Sequence, residues 1–309
     1  MGLMERPTTA NPLLILAMDQ RDSFARLFGT EEADASPEQI EQMRAAKLLV
    51  YRGVAAVSGQ VQGAQIGVLT DEEYGPGVLA QAKADGRVLA YPVEKSGQQL
   101  FELEYGDQTP EHVARWDPDY VKVLVRMNPD DDPAGTRDQL AALATLSASL
   151  HEQDLPFLLE LLVPASGAQL ASVGGDSTAY DRDVRPGLVV QVMEAVQGAG
   201  VEPTLWKIEG LETAEAARRI VAGARAGGRD ADCIVLGRDA PQDELDHWLQ
   251  VAAGVDGFVG FAVGRSIWKE PLERYLADDD QATFLEAVGA NYLHYARTYL
   301  DARTYLDAR

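Results

Sequence analysis

The chain has 309 residues, of which 46% are hydrophobic and 25% charged, a composition typical of a folded globular protein. Its formal net charge of −22 argues against nucleic acid and anionic membrane surfaces as partners. Cys233 is the only cysteine, so an intrachain disulfide is excluded and a reducing, cytoplasmic compartment is expected. We find neither a signal-peptide pattern nor an apolar run of about 18 residues, so we expect no membrane span.

Short apolar runs alternate with longer amphipathic segments along the whole chain. The apolar runs predict strands, and the segments that follow them predict helices. The predicted strands are 13–18, 65–69, 87–92, 120–126, 157–163, 204–208, 232–236 and 257–263. The predicted helices include 37–50, 77–84, 135–152, 186–199, 213–226 and 242–252, with further helix starts near 109 and 266. The segment 164–183 is predicted to be a polar loop.

Eight strand-then-helix units without a break in composition predict an α/β protein, a single (β/α)8 TIM barrel. The single domain would cover 1–309, with its core at about 12–276. The main alternative is an open, doubly wound sheet. The absence of a Gly-x-Gly-x-x-Gly turn after the first strand favours the barrel.

A hexapeptide at 296–301 is repeated at 302–307 and extends a predicted helical tail from about 280 to 309. We interpret this tail as a frayed helix, and the alternative is a packing contact or an interface of a homo-oligomer.

Lys207 is the most informative residue, because it interrupts the apolar run 204–209. A buried lysine loses hydration and therefore needs a partner or a chemical role. Strand alternation also points Lys122 and Glu160 into the barrel, since the opposite faces of their strands are wholly apolar. Neighbouring strands lie about 4.8 Å apart, so the three side chains are expected to form a contiguous row.

Such a row suits Schiff-base chemistry. Lys122, as a fixed cation, would disfavour a second positive charge on Lys207, leaving more free amine to attack a ketone. Glu160 would move protons during carbon–carbon cleavage. The alternative is a buried ion network that only fixes the barrel.

The loops after strands seven and eight bind phosphate in many barrel enzymes. Here those strands end in Gly237-Arg238 and Gly264-Arg265. Glycine lets the backbone approach an anion, arginine forks onto its oxygens, and the following helix adds its dipole. The two pairs therefore predict a phosphate site, with surface ion pairs as the alternative.

Other charged residues follow the early strands and are expected at the rim of the site. Asp19, Arg21 and Lys95 are predicted to bind substrate, and solvated loop charges are the alternative; Asp71 and Glu94 occupy similar positions. The four histidines show no His-x-His or His-x-x-x-His spacing, so we expect neither a metal site nor a cofactor.

The segment 16–24, Leu-Ala-Met-Asp-Gln-Arg-Asp-Ser-Phe, resembles the opening strand motif of the tagatose-bisphosphate aldolase-like class I aldolases. Segments 73–75 and 94–97 resemble that group's second and third strand endings. The stretch 121–276 is more similar to one branch, the aldolase of myo-inositol breakdown that cleaves 2-deoxy-5-keto-gluconate 6-phosphate. The motifs that carry this likeness are 121–125, 206–207, 235–241 and 260–265.

The resemblance implies a metal-independent lyase that cleaves a phosphorylated keto sugar or keto-acid to dihydroxyacetone phosphate and an aldehyde. It implies Lys207 as the Schiff-base lysine, Glu160 as the acid/base and Lys122 as a supporting cation. It also places Arg265 and Arg238 at the phosphate. Alternative substrates are tagatose 1,6-bisphosphate and sulfo-sugar phosphates. The alternative from another class is a non-catalytic regulatory barrel that binds sugar phosphates.

Overall fold

The computed structural model describes residues 5–307, apart from the side chains of 305–307. Eight parallel strands form a closed barrel, in which each strand pairs with the next in chain order and the last returns to the first. The strands are β1 Leu13–Met18, β2 Gln65–Thr70, β3 Val88–Pro92, β4 Tyr120–Arg126, β5 Phe157–Leu162, β6 Leu205–Glu209, β7 Asp232–Leu236 and β8 Phe258–Val263. The predicted (β/α)8 barrel is confirmed.

Helices follow the strands and cover the outside of the barrel. They are α1 Asp22–Ala25, α2 Pro37–Val57, α3 Pro76–Ala84, α4 Thr109–Trp116, α5 Pro133–Glu152, α6 Gly167–Ser172, α7 Ser177–Ala179, α8 Arg185–Gly198, α9 Ala214–Ala224, α10 Gln242–Ala253, α11 Arg265–Asp278 and α12 Gln281–Asp307. None of the helices within residues 5–307 combines the length and the apolar composition needed to cross a membrane.

The start of α2 shows how local sequence sets a helix boundary. Ser36 accepts a hydrogen bond from the backbone N–H of Gln39, whose side chain in turn accepts one from the Ser36 backbone. This capping box satisfies two N–H groups that the first turn cannot. The helix runs to Val57, beyond the predicted end at residue 50, and includes Gly53, against which Val288 of α12 packs so closely that a Cβ there would lie 2.9 Å from the Val288 side chain.

The predicted polar loop 164–183 contains short helices that the sequence pattern did not reveal. Ser166 caps α6 with a second capping box, and Asp176 accepts hydrogen bonds from two N–H groups at the start of α7. A π-helical turn at Tyr180–Val184 then leads into α8. Helices this short have too few turns to show a 3.6-residue hydrophobic period.

Strand alternation divides the apolar residues into two layers. Small and medium side chains, among them Ile15, Leu158 and Leu205, fill the barrel interior. The intervening residues, including Val123 and Trp206, pack outward against the helices. Lys122, Glu160 and Lys207 lie in the inward register, as predicted from the apolar opposite faces.

The C-terminal helix α12 is part of the outer layer of the barrel, where it packs against α2, α10 and α11. The hydroxyl groups of Tyr292 and Tyr299, both fully buried, donate to the backbone carbonyls of Leu14 and Phe258, at 3.0 and 2.9 Å. The predicted helix is confirmed, but its interpretation as a frayed tail is wrong for the first hexapeptide copy, which contains Tyr299. Six residues turn a helix by about 240°, so the second copy faces another direction; its last three side chains lie outside the described residues.

Candidate active site

Five charged side chains meet at the carboxyl end of the barrel: Lys122, Glu160 and Lys207 are buried, and Asp19 and Glu94 are partly exposed. Lys122 Nζ lies 2.7 Å from Asp19 Oδ2 and 2.9 Å from Glu160 Oε2, and it also donates a hydrogen bond to Glu94 Oε1. Lys207 Nζ lies 2.8 Å from Glu160 Oε1. Glu160 therefore bridges the two lysines with one oxygen for each, and the predicted contiguous row is present.

The strand register brings these residues together. Glu160 is directly opposite Lys207 across β5 and β6, and Lys122 on β4 lies one inward-facing row lower. Apolar side chains close the interior below them, including Tyr120, Leu158 and Leu205. Water is therefore nearly excluded, and Lys122 and Lys207 are only 1% and 3% exposed.

The charges in this cluster strongly perturb one another. Burial opposes the charge on Lys122, but Asp19, Glu160 and Glu94 outweigh it and raise the pKa of Lys122 well above its ordinary value. Burial also opposes the ionised forms of Asp19 and Glu160, yet the ammonium groups of Lys122 and Lys207 lower the pKa of both carboxyl groups. For Glu94, burial prevails over Lys122 and raises the pKa. Of the three carboxyl groups, Glu94 is thus the one that most readily holds a proton.

This arrangement corrects one part of the sequence argument. The sequence predicts Lys122 as a fixed cation that repels a positive charge on Lys207. In the structure three carboxyl groups surround Lys122 and offset its charge. The group that directly contacts Lys207 is Glu160, so proton transfer between these two is the more direct route to a free amine.

The residue after β3 that reaches the cluster is Glu94, and not the predicted Lys95. Lys95 Nζ lies 3.3 Å from Glu102 Oε2, and its side chain is nearly half exposed. The two-residue alternation of β3 continues past Pro92, so Glu94 faces the cluster, whereas Lys95 lies at the exposed rim of the cavity. Extending the strand pattern by two residues would have identified Glu94.

Arg21 lies near the cluster with its charge already paired. Its Nη2 is 2.8 Å from Glu104 Oε2 and donates to the Glu94 carbonyl at 2.9 Å, and its Nε is 3.5 Å from Glu32 Oε1. Arg21 thus ties the segment after β1 to the loop after β3.

A buried lysine from α2 fixes the backbone around Asp19, and the sequence argument missed it. Lys47 Nζ donates to the carbonyls of Met18 and Gln20, at 2.6 and 3.1 Å, and to the Asp71 carboxylate. Burial lowers the pKa of Lys47 although Asp71 opposes this effect. The only sequence signal was a lysine among the apolar residues of an otherwise amphipathic helix.

The end of β8 has the features of an anion site. A Cβ at Gly264 would lie 2.3 Å from the Ala17 carbonyl oxygen, so only glycine fits there. The next residue, Arg265, begins α11, and its Nη1 is 3.6 Å from Asp239 Oδ2. The buried hydroxyl of Ser266 in the first turn has no hydrogen-bond partner. An arginine, an unsatisfied hydroxyl and a helix N-terminus therefore converge at the predicted place.

The structure separates the second Gly-Arg pair from the first. Gly237 ends β7, and Arg238 adopts a left-handed backbone conformation with φ of 52°. Its Nη1 lies 2.9 Å from Asp181 Oδ2 and 3.2 Å from Glu209 Oε1. Arg238 is therefore directed toward β6 and is paired with two carboxylates, whereas Arg265 has one distant partner.

A cavity of about 230 Å³ opens above the cluster, at the ends of β1, β3, β4 and β5. Its wall includes Asp19, Lys122 and Glu160, and the loop 94–102 forms one side. Lys207 does not line this cavity itself; it lies behind its partner Glu160. Within residues 5–307, no three histidine, cysteine or carboxylate side chains are arranged to hold a metal ion.

Two solved structures are similar to the whole barrel. The chain aligns with fructose-bisphosphate aldolase from Plasmodium falciparum with a TM-score of 0.63 at 14% identity, covering 92% of this chain and 90% of that one. A Corynebacterium glutamicum protein from a structural genomics programme gives a TM-score of 0.59 at 19% identity, covering 94% and 86%. At these identities the likeness shows the fold alone.

Curated relatives are also similar along most of the chain. Tagatose 1,6-diphosphate aldolase 2 of Enterococcus faecalis is 24% identical over 305 residues, covering 90% of this chain and 86% of that protein. Tagatose 1,6-diphosphate aldolase of Streptococcus pneumoniae is 23% identical over 294 residues, covering 86% and 83%. These relatives support the resemblance to tagatose-bisphosphate aldolases and do not bear on the inositol branch.

A family model matches residues 3–303, nearly the whole chain. The chain belongs to that family, which is described as an uncharacterized protein conserved in bacteria, DUF2090.

Proposed function

We propose that this protein is a class I aldolase in which Lys207 forms a Schiff base with a phosphorylated keto sugar or keto-acid. The observation that carries the proposal is the direct contact of Glu160 with both Lys207 and Lys122 in a water-poor site. A lysine buried beside a carboxylate has an immediate acceptor for its proton, which a nucleophilic amine requires. The relatives named tagatose 1,6-diphosphate aldolase support an aldolase reaction.

In the first half of the reaction Lys207 gives a proton to Glu160, and its free amine attacks the ketone carbon. The attacking nitrogen passes one proton to the carbonyl oxygen, which becomes the hydroxyl of a neutral carbinolamine. Glu160 protonates this hydroxyl, which leaves as water, and an iminium forms between the ketone carbon and Lys207. Lys122 holds Glu160 at 2.9 Å and keeps it in the position that both transfers require.

In the second half the bond between the α and β carbons breaks. The hydroxyl on the β carbon loses its proton to the Glu160 carboxylate, and the aldehyde leaves. The electron pair of the broken bond moves toward the iminium nitrogen and gives an enamine. Protonation of the α carbon and hydrolysis of the resulting iminium release dihydroxyacetone phosphate and regenerate Lys207. Glu94, whose pKa is raised by burial, is a nearby source of protons.

Two substrates follow from different observations. The inositol-branch motifs between 121 and 276 favour 2-deoxy-5-keto-gluconate 6-phosphate, which would yield malonic semialdehyde as the aldehyde. The curated relatives favour tagatose 1,6-bisphosphate. Sulfo-sugar phosphates complete the set to be assayed. The proposal places the protein in the cytoplasm, where a lone buried thiol such as Cys233 stays reduced.

Borohydride trapping tests the proposal directly. Incubation of the full chain with dihydroxyacetone phosphate and sodium borohydride is expected to reduce the iminium to a stable secondary amine. Peptide mass mapping should locate the adduct on Lys207. A folded protein that binds dihydroxyacetone phosphate but gives no adduct would instead support the non-catalytic, sugar-phosphate-binding barrel.

The phosphate part of the proposal predicts a binding defect in Arg265→Gln. Losing one charge-assisted contact to the phosphate is expected to lower kcat/KM by about 10- to 100-fold, mostly through KM. Steady-state kinetics with whichever of the three candidate substrates is cleaved gives kcat and KM for the variant and the wild type. Arg274→Gln is the matched control, because Arg274 lies exposed on the same helix and its ion pair among the described residues is with Glu270, at 3.0 Å. Equal effects of the two substitutions would place the phosphate elsewhere.

A further inference from the structure

Arg126 is a cavity-lining cation that the proposed reaction leaves unused. It ends β4 and lies on the same inward-facing side as Lys122, four residues farther toward the carboxyl end. Its Nη1 donates to the Gln98 carbonyl at 3.1 Å, which holds the side chain against the loop 94–102. Among the described residues it has no carboxylate partner within 4.0 Å, and it is half-buried.

The other cations of the cavity wall are all paired. Arg21 lies 2.8 Å from Glu104, Lys95 lies 3.3 Å from Glu102, and Lys122 lies 2.7 Å from Asp19. The wall also carries the carboxylates of Asp19, Asp22, Glu94, Glu102 and Glu160. In a cavity this acidic, and in a chain of net charge −22, an anionic group needs a local cation that is not already neutralised. Arg126 meets that requirement with a planar guanidinium suited to phosphate, carboxylate or sulfonate.

The barrel geometry places Arg126 opposite the phosphate site. β4 and β8 face each other across an eight-stranded barrel, and Lys207 on β6 lies midway between them. Arg126 is in register with Leu162, two residues beyond Glu160, which is in register with Lys207. Two strand spacings and two residue rises put the Cα atoms of Arg126 and Lys207 roughly 12 Å apart. A substrate whose ketone carbon lies at Lys207 and whose phosphate points toward Arg265 therefore extends its other end toward Arg126.

We propose that Arg126 binds an anionic group on the part of the substrate that leaves as the aldehyde, so that the enzyme selects substrates that are anionic at both ends. The inference rests on the proposed aldolase function, because that function sets which end of the substrate lies at Lys207 and which end reaches Arg126. It deepens that function by assigning the distal group to an acid class (carboxylate, phosphate or sulfonate) and to one residue. A neutral sugar end would leave the Arg126 guanidinium without an anionic group within ion-pair distance.

Aldol addition of dihydroxyacetone phosphate to a set of aldehydes tests this proposal. The acceptors are malonic semialdehyde, glyceraldehyde 3-phosphate, 3-sulfolactaldehyde and neutral glyceraldehyde, assayed with wild type, Arg126→Gln and Arg137→Gln. Arg137 is an exposed arginine on α5 and controls for the loss of one positive charge. We expect Arg126→Gln to lower kcat/KM for the preferred anionic acceptor by about 10- to 150-fold and for glyceraldehyde by less than about threefold. The acceptor with the largest loss identifies the acid class.

Equal losses for anionic and neutral acceptors, or no loss at all, would overturn the proposal. A second measurement keeps it separate from the proposed reaction: isothermal titration of malonate into the same three proteins. If no aldehyde reacts and no adduct forms, the aldolase function fails. In that case weaker malonate binding in Arg126→Gln alone still supports the anion site, and equal binding in all three proteins refutes it.

Discussion

Replacing Lys207 with methionine is expected to abolish turnover, with a fall in kcat of roughly 10⁴-fold or more. Methionine keeps an unbranched apolar stem inside the barrel but has no amine to attack a ketone. The borohydride adduct with dihydroxyacetone phosphate should disappear as well. Circular dichroism and urea denaturation check that the variant folds, because the substitution removes one of the two ammonium partners of Glu160.

Lys207→Arg distinguishes the role of Lys207 as a nucleophile from its role as a positive charge beside Glu160. Arginine keeps a cation beside Glu160, but its guanidinium stays protonated and does not form an iminium. We therefore expect Lys207→Arg to be as inactive as Lys207→Met while retaining more of the wild-type stability. Activity within about tenfold of wild type in either variant, or an adduct that forms undiminished on Lys122, would show that Lys207 is not the nucleophile.

The inner row of the site was predictable because two simple physical rules apply to it. Side chains alternate along a strand, and an apolar opposite face fixes which side is inward. Lys122, Glu160 and Lys207 each lie on the side of the strand opposite such an apolar face, so the sequence pattern predicted their inward position and their proximity. Glycine at the end of β8 was predicted as a close approach of the backbone to an anion, whereas the structure shows that the close approach of Gly264 is to the Ala17 carbonyl of the neighbouring strand.

The partners of the site were harder to predict, because they come from segments where alternation ends. Glu94 lies just beyond β3, and the side chains of Lys95 and Arg21 are committed to the carboxylates of Glu102, Glu104 and Glu32 through loop geometry. A single sequence gives the charge of these residues but not their pairing. The packing of the C-terminal helix was not predictable for the same reason, because the burial of Tyr299 depends on the outer surfaces of strands and helices that are distant in the sequence.

The pairing pattern itself has a consequence for how the site works. Lys122 is held by three carboxyl groups, and Lys207 has one of these same groups as its closest anionic partner. Two ammonium groups thus face three carboxyl groups, so the cluster has capacity to hold one more proton. Glu94 is the group that burial favours for that proton, and Glu160 is the group that contacts Lys207. In the proposed reaction Glu94 would therefore hold the additional proton, and Glu160 would exchange protons with Lys207.

Glu160→Gln is expected to lower kcat by about 10²- to 10⁴-fold, because among the described side chains no other carboxylate lies within 4.0 Å of the Lys207 ammonium group. The amide keeps the shape of the side chain but cannot accept the proton from Lys207 or from the β-carbon hydroxyl. Adduct formation should slow in the same variant, since loss of water from the carbinolamine also needs an acid. Glu102→Gln removes an exposed carboxylate from the same cavity wall and should leave kcat within about threefold. Similar losses in the two variants would assign the effect to the charge of the cavity.

The same substitution predicts a change in how stability depends on pH. Burial disfavours the Glu160 carboxylate, but Lys122 and Lys207 outweigh burial and lower its pKa below the ordinary value of 4.5. Because the pKa is lower in the folded state, the ionised group stabilises the fold fully above about pH 4.5, and this contribution is lost as the pH falls through the folded value. The difference in unfolding free energy between wild type and Glu160→Gln should therefore shrink from pH 5 to pH 3. Urea denaturation across this range measures it, and a difference that stays constant would mean that Glu160 is not held ionised by the two lysines.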